Sequence, residues 1–447
     1  MKKNICFIAN YSLTGLYKTI GEKLDVNIFW ITVNETIRDE YLSDVEEDHI
    51  LLLRYVNKIN SEKEAEGDGS DLNLRLNEIA LGDRRLRLNL ERGINYLSSS
   101  SKIIKTFLKK NKIDYVFGEV TWAHEILIHR IQTQVLEKFY YIPHDVRLPE
   151  NKFCFFTDEF WSIPYERKNR KQIPQVNFES VLKTDNHKLA TARHIANKKS
   201  VTYKLNYLIK LILPVNDPLD PTFKGLSRRE KIRKNWTKPL SRLEYKLMTR
   251  LVDVTEFKDS FKVGVPLHLQ PEASIDNMAR YYENQYLNIL NIWRTLPNNV
   301  VLFIKEHSVA KGSRKPFFYR RLQSLRNVCF VSDELSGESF MNSMDVIYTL
   351  TGTMGLEAAL AGKPVITHVR NQYSFMPNVK VVSLDDMRSA RFWEELTSLS
   401  VKESLKLYET FEQNCFDGEI NDPTVSSTVL SGVNINNLTL GFKDVLH

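Results

Sequence analysis

The run Tyr348-Thr349-Leu350-Thr351-Gly352-Thr353-Met354-Gly355-Leu356-Glu357 has the residue types of a phosphate cradle. An apolar, strand-forming stretch passes through hydroxyls and glycines into a helix-forming stretch. Gly352 and Gly355 allow backbone to approach a ligand closely. The hydroxyls of Thr351 and Thr353, with the unpaired N–H groups of a helix start, can hold phosphate oxygens. Glu357 is expected in the first helical turn, where a carboxylate suits the helix dipole and can reach ribose hydroxyls. A capped strand-to-helix turn with no ligand is the alternative, and the surrounding motifs weigh against it.

The first of these is Ile304-Lys305-Glu306-His307-Ser308, at the end of another strand-forming run. In open α/β sheets ligands bind beyond the carboxyl ends of the strands, so His307 and Thr351 are expected to share a crevice. Lys305 can offer charge to a diphosphate. A neutral His307 can donate one N–H to a phosphate oxygen, and a charged one can stabilise a leaving group. Lys311-Gly312-Ser313-Arg314-Lys315 is read as a supply of mobile cations. The second motif is Pro266-Leu267-His268-Leu269-Gln270-Pro271-Glu272-Ala273-Ser274, where Pro271 breaks the extended run. It leaves Gln270, Glu272 and Ser274 on a turn, with Glu272 either binding a sugar or ribose hydroxyl or capping the next helix.

In the N-terminal half Glu119 ends a strand, and Trp122, His124 and Glu125 follow it. A carboxylate there can deprotonate an acceptor hydroxyl as general base. The competing reading is a helix-start charge, with His124 and Glu125 on a solvated face. His144-Asp145-Val146-Arg147 follows the apolar run Phe139–Ile142. His144 and Arg147 are acceptor-side candidates, against a loop ion pair.

The elements that must position these groups alternate in type. Asn4–Ala9, Val26–Ile31 and Asp114–Glu119 read as strands, with helices over 13–24, 72–110 and from Trp122. A second series of strands covers Phe261–Pro266, Val300–Ile304, Val328–Val331, Val346–Thr349 and Pro364–Thr367. Helices are expected between them over 278–293, 316–325, 338–344 and 355–360. Such alternation gives doubly wound parallel sheets. Between the two series, residues 165–250 are dense in cations, as in Glu166–Lys171 and Arg228–Lys234. This stretch reads either as solvated helical faces or as a basic amphipathic surface for an anionic membrane or acceptor. The expected domains are 1–255, 256–395 and a tail, 396–447, that packs back toward the first.

The chain has 447 residues, enough for two cores of roughly 200 residues each. With 42% hydrophobic and 26% charged residues it has an ordinary globular composition, which argues against wholesale disorder. Cys6, Cys154, Cys329 and Cys415 are widely spaced, and a reducing cytoplasm suits them. No apolar run approaches the roughly 20 residues of a bilayer span. The net charge of +7 fits an anionic substrate or lipid surface, and no nucleic-acid module is recognisable. A phosphate-binding Gly-x-x-x-x-Gly-Lys loop, a dinucleotide fingerprint after the first strand and a nucleophile elbow are all missing. So is an Asp-x-Asp strand end, so neither a divalent metal nor another cofactor is expected.

The motifs 266–274, 304–307, Phe318–Leu322, Asn327-Val328, 351–359 and 362–365 together resemble the C-terminal domain of bacterial capsule and surface-polysaccharide biosynthesis glycosyltransferases of the GT-B fold. The resemblance covers about a quarter of the chain. It implies two Rossmann-like domains facing a central cleft, a nucleotide sugar as donor substrate, and metal-independent transfer to a growing, lipid-linked or free glycan. The motifs are also similar to transferases that add Kdo from a cytidine monophosphate donor, whose Gln-Pro-Glu stands here as Gln270-Pro271-Glu272. The His-Pro motif of those enzymes departs, because Ser308 follows His307. A cytoplasmic protein, with peripheral contact at the inner face of the membrane, is the expected setting. A non-hydrolysing sugar-nucleotide epimerase, a polyol-phosphate transferase of teichoic-acid type and a non-catalytic subunit remain the alternatives.

Overall fold

The computed structural model describes residues 2–11, 13–53, 74–146, 151–168, 239–247, 250–311, 313–332, 334–423 and 426–447. Arg147 and the cationic run Arg228–Lys234 lie outside the described residues, as does most of the expected basic stretch. The chain divides into two compact units, Met1–Gly225 with Phe411–His447, and Leu226–Thr410.

In the first unit, β1 (Lys3–Ala9), β2 (Val26–Thr32), β3 (Ile50–Leu52), β4 (Tyr115–Phe117) and β5 (Phe139–Val146) pair in parallel. Two antiparallel strands, β6 (Lys152–Phe156) and β13 (Phe416–Asp417), extend the sheet to the order β13-β6-β5-β4-β1-β2-β3. The uninterrupted apolar run Ile5–Ala9 is what a strand covered on both faces requires. Phe7 lies at the centre, 5.2 Å from Tyr17 on the helix α1 (Leu13–Gly21) and 5.5 Å from Phe117. The C-terminal helix Gly432–Leu446 covers the same face, with Phe442 4.9 Å from Phe117 and 5.0 Å from Phe155. Lys3 ties down its end through the Leu446 carbonyl. Each buried phenylalanine contributes ~2 kcal/mol, so this helix is integral to the unit.

The helical pattern expected over 72–110 is two helices, α2 (Leu76–Gly82) and α3 (Leu90–Lys110). Asp83 separates them. Its buried carboxylate accepts the N–H of Arg85 and Leu86 at 2.7 and 3.0 Å, an arrangement that competes with helix continuation. His144 and Asp145, expected in a loop, lie inside β5, opposite Cys154 and Phe153 of β6.

The second unit holds β7 (Phe261–Pro266), β8 (Val300–Lys305), β9 (Val328–Phe330), β10 (Val346–Tyr348), β11 (Val365–Thr367) and β12 (Val379–Val381). All pairs are parallel, in the order β12-β11-β10-β7-β8-β9. The winding reverses between β7 and β10, which makes their carboxyl ends the topological switch point. The helix expected over 278–293 is instead a wide turn, Ser274–Met278, followed by a helix, Gln285–Trp293. Asn284 sets the later start by accepting the Leu287 N–H with its side chain.

Both units are α/β with a doubly wound core, the fold class expected from the alternating pattern. Among the described residues no helix is long and apolar enough to cross a membrane. All four cysteines are free thiols.

Candidate functional site

Three neighbouring strands of the second unit deliver the groups singled out above. β10 leads into Thr349–Thr353, β7 into His268–Ser274 and β8 into His307, and β7 lies between the other two. His268 joins the first pair of strand ends. Its Nε2 accepts the Leu350 N–H at 3.4 Å and lies 3.2 Å from the Thr349 hydroxyl, which itself accepts the Gly352 N–H at 3.2 Å. Thr351 donates its hydroxyl to the Ser274 carbonyl at 3.0 Å, so the loops after β10 and β7 are stitched together twice.

The two glycines have an additional reason to be glycine. A Cβ on Gly352 would stand 2.7 Å from Thr349 Oγ1 and 3.2 Å from His268 Cε1. One on Gly355 would collide with the Tyr373 hydroxyl, which donates to the Gly352 carbonyl at 3.0 Å. Both glycines are therefore demanded by the protein's own packing, whatever ligand the turn takes. Gly355→Ala is expected to destabilise the protein by about 1–3 kcal/mol through overpacking, read as a fall in melting temperature. An unchanged melting temperature would show that Tyr373 moves aside freely.

The helix starts at Thr353, with Gly352 as its N-cap and no side-chain cap. Among the described residues nothing accepts from the N–H of Thr353 or Met354, so both remain open to an anion. Glu357 is a full turn further along, and the first turn holds no acidic residue. Its expected place at the helix start is corrected accordingly, because the helix begins two residues earlier than the glycine pattern suggested.

Around His307 the sequence concealed a rigid support. Glu306 is buried at 2% exposure and takes both arms of Arg314, at 2.9 and 2.5 Å, and the Tyr319 hydroxyl at 2.6 Å. It also accepts the His307 N–H at 2.7 Å. Arg314 is thus a fixed, buried partner rather than a mobile cation. The His307 ring is set by its Nδ1, which accepts the Val309 N–H at 3.3 Å. Burial, with Arg314 and Lys305 nearby, outweighs Glu306 and holds His307 below the ordinary histidine range. A neutral ring whose Nδ1 accepts must carry its proton on Nε2. Lys305 is half-buried, and burial and then Lys311 hold its ammonium below the usual lysine range, against the pull of Glu306.

Gln270 has a structural duty. Its Nε2 donates to Asp276 at 3.0 Å and to the Glu283 carbonyl at 2.9 Å, while its Oε1 accepts from Gln285 at 2.7 Å. Asp276 also accepts the Glu272 N–H at 3.1 Å, so a buried amide–carboxylate network shapes the loop that carries Glu272 and Ser274. Glu272 is exposed, and its carbonyl accepts from Ile275 and Asp276.

The first unit gathers a second cluster at the carboxyl ends of β1 and β4. Glu125, at the third position of α4 (Ala123–Arg130), is completely buried. Its carboxylate accepts the backbone N–H of Glu119, Thr121 and Trp122 at 3.1, 2.7 and 3.0 Å, and the Asn10 amide at 2.6 Å. His124 is equally buried, so the solvated face expected for this pair is corrected: the helix start turns inward and uses Glu125 to tie its own loop. Between Glu119 and Thr121, Val120 has φ +60°, a left-handed conformation that a β-branched residue adopts only under constraint. The Glu119 carboxyl is pushed up to about 8, by burial first and then by the charges of Glu125 and Asp422. His144 packs against Trp161 at 3.9 Å between ring centres, and burial lowers its pKa to about 4. It is a neutral ring at ordinary pH and supplies no positive charge to an acceptor.

Sequence reasoning therefore missed His268, Glu306, Arg314 and Tyr319 in one unit and Asn10 and Glu125 in the other. His268 and Asn10 carried a usable signal, since each is a polar residue just past the end of an apolar strand.

Residues 281–409 match the family model described as capsule polysaccharide biosynthesis protein. Over that stretch the chain resembles capsule polysaccharide biosynthesis proteins. The match takes in Lys305–His307 and the Thr351–Glu357 turn and begins after the Gln270-Pro271-Glu272 loop. No match is found among curated proteins. Among solved structures the chain is similar to the beta Kdo 2,7 transferase of Thermosulfurimonas dismutans KpsC, at 13% identity, over 70% of this chain and 89% of that one, with TM-score 0.30. The beta Kdo 2,4 transferase of the same protein gives 14% identity, 73% and 87% coverage and TM-score 0.31. A putative UDP-N-acetylglucosamine 2-epimerase from Listeria monocytogenes gives 10% identity, 100% and 97% coverage and TM-score 0.25. Scores this low assign no chemistry to the residues described above.

Proposed function

We propose that the protein is a nucleotide-sugar-dependent glycosyltransferase of capsule polysaccharide synthesis, with the donor's phosphate held in the second unit. The observation that carries this reading is the presence of two neutral kinds of donor at the ends of β8 and β10, the strands on either side of β7. One is the Nε2–H of His307, and the other is the open N–H pair of Thr353 and Met354. Phosphoryl oxygens are the ligands that such N–H groups suit. Thr351, Thr353 and Lys305 flank the phosphate in this reading, Glu272 or Glu357 meets the ribose, and Gln270 and Ser274 shape the loop. Glu119, with a pKa near neutrality, serves as the general base for the acceptor hydroxyl. The reaction needs no metal in this reading, and the acceptor is a glycan.

A thermal-shift screen of CMP, CDP, UDP, GDP and their sugar conjugates tests it. At least one should raise the melting temperature, since a ligand at a hundred times its Kd adds about 2.7 kcal/mol of stability. His307→Ala and Thr353→Val should each weaken that effect. If no nucleotide shifts the transition, the catalytic reading is wrong and a non-catalytic subunit is favoured. Conversion of a donor to an isomeric sugar nucleotide without acceptor would favour the epimerase.

A further inference from the structure

His307 is not the only imidazole at these strand ends. His268 follows β7, between the strands that deliver His307 and the Thr351–Glu357 turn, and no part of the reading above uses its ring. Its Nε2 faces two donors. The Leu350 N–H points at it from 3.4 Å, and Thr349 Oγ1 stands 3.2 Å away. Since Nε2 accepts the Leu350 N–H, the Thr349 hydroxyl, which also accepts the Gly352 N–H, has its own hydrogen to offer the ring. A ring nitrogen that accepts the Leu350 N–H carries no proton. The ring's proton therefore sits on Nδ1. Among the described residues nothing accepts from Nδ1, and that atom is not one of the polar atoms sealed from solvent. His307 shows the mirror arrangement, with Nδ1 occupied by the Val309 N–H and Nε2 left to donate.

We propose that His268 is a second phosphate ligand of the donor site, presenting a neutral Nδ1–H to the phosphoryl group that His307 meets with its Nε2–H. The proposal rests on the donor-site reading of the preceding subsection. Each ring is set in one tautomer by a backbone N–H, His307 by Val309 of its own loop and His268 by Leu350 of the loop after β10, so the two offer N–H donors from opposite ring nitrogens. Neither needs a charge to do so. Burial, with Arg314 and His307 nearby, lowers the His268 pKa to about 4, and His307 is also held below its ordinary range. The pair thus keeps both donors unchanged across the neutral range, whereas an ordinary histidine gains a charge near pH 6.5. The contacts with Leu350 and Thr349 also tie the His268 ring to the segment that leads into Thr353 and Met354.

The test uses the full-length chain with 15N-labelled histidine, the two rings being assigned with His268→Gln and His307→Gln. At pH 7 the ring nitrogen shifts should show His268 as the neutral Nδ1–H form and His307 as the neutral Nε2–H form. Addition of CDP or UDP should move the protonated nitrogen of both, inorganic pyrophosphate should do so more weakly, and the unphosphorylated nucleosides should move neither. Two substitutions separate ligation from loop packing. Asparagine keeps an N–H near the Nδ1 position, while glutamine keeps an acceptor near Nε2, so His268→Gln should lose roughly tenfold in nucleotide affinity and His268→Asn less. Nucleotide that moves His307 but leaves His268 still would overturn this proposal and keep the donor site. So would an Nε2–H or charged His268 at pH 7. If neither ring responds to any phosphate compound, the donor-site reading falls together with it.

Discussion

Glu306→Ala is expected to lower the melting temperature by on the order of 10 °C and to abolish nucleotide binding. The carboxylate is buried with both arms of Arg314 and the Tyr319 hydroxyl on it. Removing one partner of such a pair leaves a buried guanidinium uncompensated, which costs about 3–5 kcal/mol. For a domain of this size each kcal/mol corresponds to roughly 2–4 °C. Binding fails for a separate reason, because Glu306 also anchors the His307 backbone. The double variant Glu306→Leu/Arg314→Met separates the two effects. It removes both charges together and should melt closer to the parent protein, yet bind nucleotide no better than Glu306→Ala. Melting within a few degrees of the parent by the single variant would mean that the ion pair does not organise the loop.

The second large effect concerns pH. Glu119 titrates near 8 in the folded chain because it is buried and faces Glu125 and Asp422, whereas an unfolded glutamate titrates near 4.3. Between those values the folded chain holds a proton that the unfolded chain has released. Stability from this group is therefore full below about pH 4.3 and is lost as pH rises through about 8. Glu119→Gln should accordingly lose less stability than the parent protein between pH 5 and 8 in denaturant titrations. Asp145 is also raised to about 8, by burial first and then Glu419, and it adds the same trend to both proteins, so the difference isolates Glu119. If Glu119 is the base, turnover of the donor identified by thermal shift rises with pH through about 8, and the glutamine variant loses roughly 10²–10⁴-fold. An unchanged rate and pH profile would remove Glu119 from the chemistry.

The strands that position these groups were readable because each is a short apolar run ended by a polar turn. Helix limits were less so. Asp83 and Asn284 reset them through side-chain bonds to backbone, and nothing in apolar periodicity announces such bonds. The candidate site was legible where one loop contained it, as in the Thr351–Glu357 turn and His307. It was illegible where function depends on closing a bond across the sheet. His268 acquires its meaning only from Leu350, 82 positions later, and Glu125 only from Asn10, 115 positions earlier. Glu306 looked like one more charge in a polar strand end until Tyr319 and Arg314 folded over it.

The C-terminal helix has a consequence for the order in which the molecule is made. Phe442 rests on Phe7, Phe117 and Phe155, yet the whole stretch 226–410 is synthesised between them. On the ribosome, where domains generally fold N-terminal first, the second unit has all of its sequence before the first has its last helix. The earlier-made sheet must wait with an aromatic face uncovered, and the unit begun first is finished last.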